Sequence, residues 1–250
     1  MLTITRREFF LFFNSGIGYL SMGIFLTINT LFLWFFDTNF NIINSGFADL
    51  NSFFILTPWL FMPLISAIIM RSFSEERRMG TLELLLTKPL GLWQIILGKY
   101  LGGILLMSIA LVSSIVHLFA LNNFKLGDIP IDWGATFSGF IGLLFVGSIF
   151  VSIGILSSLL SKNQATAFML AFLLCFVQFF LWKGIGDLMY DSESYNFFNQ
   201  IGIYEHYLSL QQGLISVKDI VYFIGSNYIL LYLSRQVLLK IKNQGGFRKY

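Results

Sequence analysis

The chain has a single cysteine, Cys175, set inside an apolar run. No intrachain disulfide can form, and no cysteine-based metal cluster can be built. Histidine is almost as scarce. His117 and His206 stand apart in sequence, with no carboxylate or cysteine at ligand spacing, so neither metal binding nor a nucleophile–base pair is indicated. Charged residues make up 12% of the chain, about half the usual share of a soluble domain. The formal net charge of +3 is too small to imply a nucleic-acid surface. A phosphate-binding loop, G-x-x-x-x-G-K-[ST], is also missing. Its nearest approach is Gly98-Lys99, where Trp93 replaces the first glycine and Tyr100 replaces the Ser or Thr. The chain therefore does not bind ATP by this device, and no hydrolase or kinase constellation appears. No Asp, Glu, Lys or Arg falls near the middle of an apolar run, which counts against a proton-driven carrier.

What the sequence does have is apolar length. Hydrophobic residues make up 56% of the 250, Phe alone accounts for 29, and the mean hydropathy is +0.75. Such a chain has an apolar outer surface as well as an apolar core, so its solvent is lipid and its fold class is all-α integral membrane. The 28 uncharged residues from Phe9 to Phe36 are too long for a signal-peptide core and show no convincing cleavage site. They predict a short interfacial helix from Thr5 to about Phe13 and a span from about Ile17 to Phe36, with one long tilted span as the alternative. Further spans are predicted at Leu50–Met70, kinked by Pro58 and Pro63, at Trp93–Phe124, at Trp133–Ser161 and at Asn163–Trp182. Lys99, near the start of the third, is expected to extend its stem toward the headgroups. Small residues in the fourth (Gly139, Gly142, Gly147, Ser148, Ser152, Gly154) permit close helix contacts.

A polar loop with Gly127 and Pro130 precedes the fourth span. The segment from Lys183 to Lys218 is too long for a structureless loop, and Ile203, Tyr207, Leu210 and Leu214 recur there at helical spacing. Ile220–Ser234 is the sixth and weakest span. It reaches full length only if Arg235 snorkels and Leu239 is included. Six spans place 13 of the 16 basic residues on one side, with both termini and the basic tail Lys240–Tyr250, and leave Lys125, Lys183 and Lys218 on the other. Nine of the 13 acidic residues lie with those three lysines. By the positive-inside bias the first side is cytoplasmic.

The longest charged stretch in this chain, MRSFSEERRMGTLELLLTKP from Met70 to Pro89, falls between spans two and three on that side. Ser72-x-x-Glu75 matches a capping box. Gly80 interrupts the helix it starts, Thr81 is a candidate N-cap for a second turn, and Glu83 sits near the positive end of that turn. Leu82, Leu85 and Leu86 form an apolar stripe at i, i+3 and i+4. By spacing alone this is a short amphipathic helix that either docks a partner or lies flat on the bilayer.

Glu76, Gly80-Thr81-Leu82-Glu83, Leu85-Leu86 and Pro89, continuing to Leu97-Gly98-Lys99, resemble the signature E-x-x-x-G-T-L-E-x-L-L-x-x-P…L-G-K of ABC-2 type transporter permeases. The stretch from His206 through Gly213 to Asp219–Phe223 resembles that family's approach to its last span. The resemblance covers essentially the whole chain and is strongest to the gliding-motility-associated type, related to permeases of copper-processing operons.

It implies a single ABC-2 domain over residues 1–250, with six transmembrane helices, an N-terminal interfacial helix, a cytoplasmic coupling helix at about 72–89, and short re-entrant helices in an extracytoplasmic segment at about 183–218. The chain would be the permease subunit, not an enzyme, with no cofactor of its own. ATP and magnesium would sit on a separate dimeric ATPase, docked through Glu75, Glu76, Gly80, Thr81, Leu82, Glu83, Leu85, Leu86 and Pro89. A second six-span unit would complete the transporter, with small residues near Gly16 and Gly18 at the contact. The implied location is a bacterial inner membrane. The chain has no large extracytoplasmic domain, so recognition there would need an accessory membrane protein. The other classes are a membrane anchor that only docks a partner and an integral membrane enzyme, whose convergent polar groups at membrane depth are absent.

Overall fold

The structure, a computed structural model, describes residues 1–45, 49–124, 132–189 and 191–244. The loop glycine and proline at 127 and 130, Lys125, and the tail beyond 244 with Arg248 and Lys249 lie outside the described residues. All regular elements among the described residues are helical. In chain order they are α1 (Leu2–Phe13), α2 (Gly16–Thr30), α3 (Ile42–Ser45), α4 (Asn51–Ile69), α5 (Arg71–Arg78), α6 (Thr81–Thr87) and α7 (Leu92–Ser113). There follow α8 (Val116–Phe124), α9 (Trp133–Leu160), α10 (Gln164–Phe176), α11 (Trp182–Asp187), α12 (Ser192–Ile201), α13 (Ile203–Gln211) and α14 (Val217–Gln244). A π-helical turn, Leu31–Phe35, prolongs α2, and another, Val177–Leu181, joins α10 to α11.

The first apolar run is two helices, not one tilted span. Ser15 separates them because its hydroxyl accepts the Gly18 amide at 3.3 Å and so caps α2. A Cβ at Gly18 would fall 2.4 Å from the Phe12 carbonyl oxygen. Gly18 therefore serves a contact inside the chain, while the space around Gly16 is open.

α9 is the axis of the molecule. It packs against α4, α7, α10, α13 and α14 and is buried along most of its length. Its small residues are what admit these neighbours. A Cβ at Gly139 would meet the Phe54 ring at 2.6 Å, and one at Gly154 would meet Ile69 at 2.9 Å. α14 lies along α9, with Phe223 stacked on Phe145 at 5.1 Å. The Asn227 amide donates to Ser148 and accepts from Ser152 and Tyr100. An asparagine inside an apolar bundle is tolerable because neighbouring helices supply these partners.

The segment before α14 folds as three short helices. Ile203, Tyr207 and Leu210 are buried as their spacing predicts. Leu214 is exposed, because the chain leaves α13 at Gln212 and turns at Gly213, whose φ is +86°. Tyr207 donates to the Phe54 carbonyl at 2.7 Å, and Ser138 donates to that of Leu210, so α13 is clamped between α4 and α9. His206 is not isolated, as its sequence neighbours suggested. Its Nδ1 lies 2.7 Å from Asp219 Oδ1, a pairing that the turn between α13 and α14 creates.

Among the described residues, five helical stretches are long and apolar enough to cross a membrane, namely Gly16–Phe35, Asn51–Arg78, Leu92–Asn123, Trp133–Leu160 and Gln164–Asp187. α14 has 28 residues, which is long enough, at about 1.5 Å per residue. Its charges at Lys218, Asp219, Arg235, Lys240 and Lys242 dilute its apolar character.

Candidate functional site

The charged island folds as a helical hairpin, α5–Gly80–α6, at one end of α4. α5 continues from α4 after a turn at Met70, whose backbone is itself helical (φ −51°, ψ −31°). The expected capping box at Ser72 is therefore absent. Ser72 lies inside the helix, and its hydroxyl is buried. The junction is held instead by Ser158 of α9. Its hydroxyl accepts the amides of Phe73 and Ser74 at 2.9 and 3.0 Å and donates to the Met70 carbonyl at 3.1 Å. Arg77 adds a hydrogen bond to the Leu159 carbonyl.

Gly80 has φ +70°, the left-handed conformation that glycine adopts without penalty. It reverses the chain and begins α6, so Thr81 is the first helical residue and not the cap. Its hydroxyl points back to the Glu76 carbonyl at 3.4 Å. Glu83 falls in the first turn of α6, where its charge favours the helix dipole.

The leucine stripe faces the opposite way from the sequence reading. Leu82, Leu85 and Leu86 are 3%, 7% and 6% exposed, buried in the chain's own core. The outward face carries Met79, Glu83, Leu84, Thr87, Lys88 and Pro89, with Leu84 66% exposed. A partner meeting this hairpin would thus touch Glu83 and Leu84, not the stripe.

Glu76 is also turned inward, to a cluster that spacing did not reveal. Lys99, expected to snorkel, is buried beneath α1 and α5. Its ammonium lies 2.7 Å from Glu8 Oε1 and 3.2 Å from Glu76 Oε1, donates to the Ser72 carbonyl, and sits 4.6 Å from the centre of the Phe73 ring. Arg7, half exposed, reaches Glu76 Oε1 at 3.2 Å. Two positive and two negative groups thus tie α1, α5 and α7 together. The glycines beside Lys99 make this possible. A Cβ at Gly98 or Gly102 would come within 2.9 Å of Ile4 or Glu8, so only glycine lets α1 lie this close to α7. Thr5 seals the contact with a 2.9 Å hydrogen bond to the Gly98 carbonyl. A cavity of about 240 Å³ beside the cluster is lined by Arg7, Glu8, Arg71, Glu75, Glu76 and Lys99. Of the residues expected to dock a partner, Glu75 is therefore half-buried at this cavity, Glu76 is buried with its Oε1 paired inside the chain and its Oε2 without a hydrogen-bond partner, and Glu83 and Pro89 remain outside. The sequence signal for the cluster was Gly98-Lys99 itself, paired with the charged Arg7-Glu8 at the other end of a contact 91 residues away.

Among the described residues no group of His, Cys, Asp and Glu could hold a metal ion. A comparison with curated protein sequences finds no match. Residues 15–239 match the family described as "ABC-2 family transporter protein", a span that runs from the start of α2 through the hairpin and most of α14, and the chain therefore belongs to that family.

Proposed function

We propose that this chain is the permease subunit of an ATP-binding-cassette transporter and that the α5–Gly80–α6 hairpin is its docking element for a separate ATPase. One observation carries the reading. The hairpin's inner face is fixed to the bundle through Ser158, the leucine stripe and the Glu76–Lys99–Glu8 cluster, while its outer face keeps Glu83, Leu84, Thr87 and Lys88 exposed at the end of α4. A rigid element with one free face is what transmits a partner's motion. An element that merely rests on lipid would have no need of a buried ion cluster behind it.

The ATPase, with its ATP and magnesium, supplies the energy, and the hairpin passes the displacement to α1, α5 and α7 as one body. In this reading α14 is the sixth span, both termini and the hairpin are cytoplasmic, the membrane is a bacterial inner membrane, and a second permease unit completes the transporter. The gliding-motility type, with an accessory membrane protein on the outer side, is part of the proposal on the strength of the sequence resemblance.

Recovery of the ATPase from detergent extracts tests it. Leu84→Asp or Glu83→Lys should cut co-purification of the ATPase, or uncouple its hydrolysis, while the permease stays folded. A fully buried hot-spot contact would cost roughly 2 kcal/mol or more. Equal recovery and equal hydrolysis with both variants would leave the hairpin without a docking role.

A further inference from the structure

At the end of the bundle away from the hairpin, the start of α4, the π-helical turn after α10, and α13 enclose a second cavity, of about 440 Å³. Lys183 is on its wall. The ammonium sits 3.7 Å from the centre of the Tyr204 ring, and among the described residues no carboxylate pairs with it. Asn51, Gln211 and Gln212 add amide groups, with Gln211 donating to Asn51 at 2.6 Å. Trp59 closes one side and continues into a second space, a groove of about 900 Å³ between α4 and α10. That groove is lined by Met62, Met169, Leu170, Leu173 and Phe176. The Trp59 ring lies 3.9 Å from that of Phe180, so the two spaces share an aromatic wall.

We infer that this is a binding site for an anionic membrane lipid, with the headgroup at Lys183 and an acyl chain along α10. Each part of the chemistry excludes an alternative. A cationic headgroup would meet Lys183 already occupying the Tyr204 face. A wholly apolar ligand would cover the partly exposed Lys183 ammonium without supplying a counter-charge, which is costly. A soluble anion would have no use for the apolar groove. Methionines suit the groove because their unbranched thioethers adapt to a flexible chain. Both volumes fall in the ordinary range of ligand sites. The inference rests on the chain being embedded in a membrane and is independent of ATPase docking.

The test uses the full chain in phosphatidylcholine nanodiscs with a trace of phosphatidylglycerol carrying a diazirine on its acyl chain. Illumination should place adducts on α4 and α10 around Met62 and Met169. Lys183→Gln should lower the yield about tenfold, the loss expected when a hydrogen bond to a charged group is removed. Lys183→Arg should retain it. Lys218→Gln, an exposed lysine at the start of α14, should leave it unchanged. A phosphatidylcholine probe with the same chain should label far less, and soluble glycerol 3-phosphate should not compete. Undiminished labelling of Lys183→Gln, equal labelling by the two lipids, adducts spread evenly over α2, or competition by glycerol 3-phosphate would each overturn the site. Because the readout is binding, none of these outcomes depends on whether an ATPase docks at the far end.

Discussion

Replacing Lys99 with methionine should destabilise the chain by about 3–5 kcal/mol, the cost of leaving buried carboxylates without their cation. The side chain is 1% exposed, so water cannot take over its role. With an effective dielectric near 20, contacts of 2.7 and 3.2 Å correspond to a gross attraction of roughly 6 and 5 kcal/mol. Desolvation of the ions offsets most of that, several kcal/mol for each. The intact cluster therefore contributes little net stability, but breaking it exposes the full penalty. Glu76, 6% exposed, would keep only the half-exposed Arg7, and Glu8 would lose its partner. For a domain of this size 1 kcal/mol moves Tm by about 2–4 °C, so thermal unfolding in detergent, followed by circular dichroism, should show a drop of roughly 6–20 °C. Methionine keeps the length and packing of the lysine stem, so a cavity is not the cause. Adding Glu8→Gln and Glu76→Gln to Lys99→Met should recover most of the loss, because no unpaired charge then remains and Arg7 can rehydrate. A single variant that melts within about 2 °C of the wild type would refute the reasoning. So would a triple variant no better than the single, since the loss could not then be electrostatic.

Leu85→Asp should unfold or severely destabilise the chain, by more than about 4 kcal/mol, because it places a carboxylate in the core, whereas Leu84→Asp should leave Tm nearly unchanged; the same melting curves decide this. Gly80→Val should cost about 1–2 kcal/mol or slightly more, since φ is +70° and the space around it is open, so that backbone strain alone acts. Gly80→Asn should cost less, because asparagine visits that conformation more readily, and equal melting temperatures for the two would count against this account. The proposed topology predicts that a cysteine at Gln212 is labelled by an impermeant maleimide from outside and one at Met79 is not. Cys175 is buried and gives a silent background, and labelling of position 79 from outside would sink the topology.

The sequence by itself determined the all-helical membrane class, five apolar stretches of membrane length and the place of the charged island between two of them. Apolar runs of membrane length leave the backbone no option but helices, and Gly80 inside the charged island marks a break between two short helices. Small residues on α9 likewise announced close packing, and the period of Ile203, Tyr207 and Leu210 announced a buried helix before α14. These are local properties, set by each residue's own backbone and by the solvent it must face. Direction is not local. Which face of α6 is inward depends on how α6 meets α5 and the buried core, and only the tertiary structure decided that Leu82, Leu85 and Leu86 belong to the core while Leu84 faces out. The pairing of Lys99 with Glu8 and Glu76 joins residues 91 and 23 positions apart in the sequence. No period encodes it, and Gly98-Lys99 and Arg7-Glu8 meet only once Gly98 and Gly102 let α1 settle on α7. His206 with Asp219, and Lys183 over Tyr204, have the same origin: a charged group's partner is whatever the packing brings within about 4 Å, and packing is a property of the whole chain.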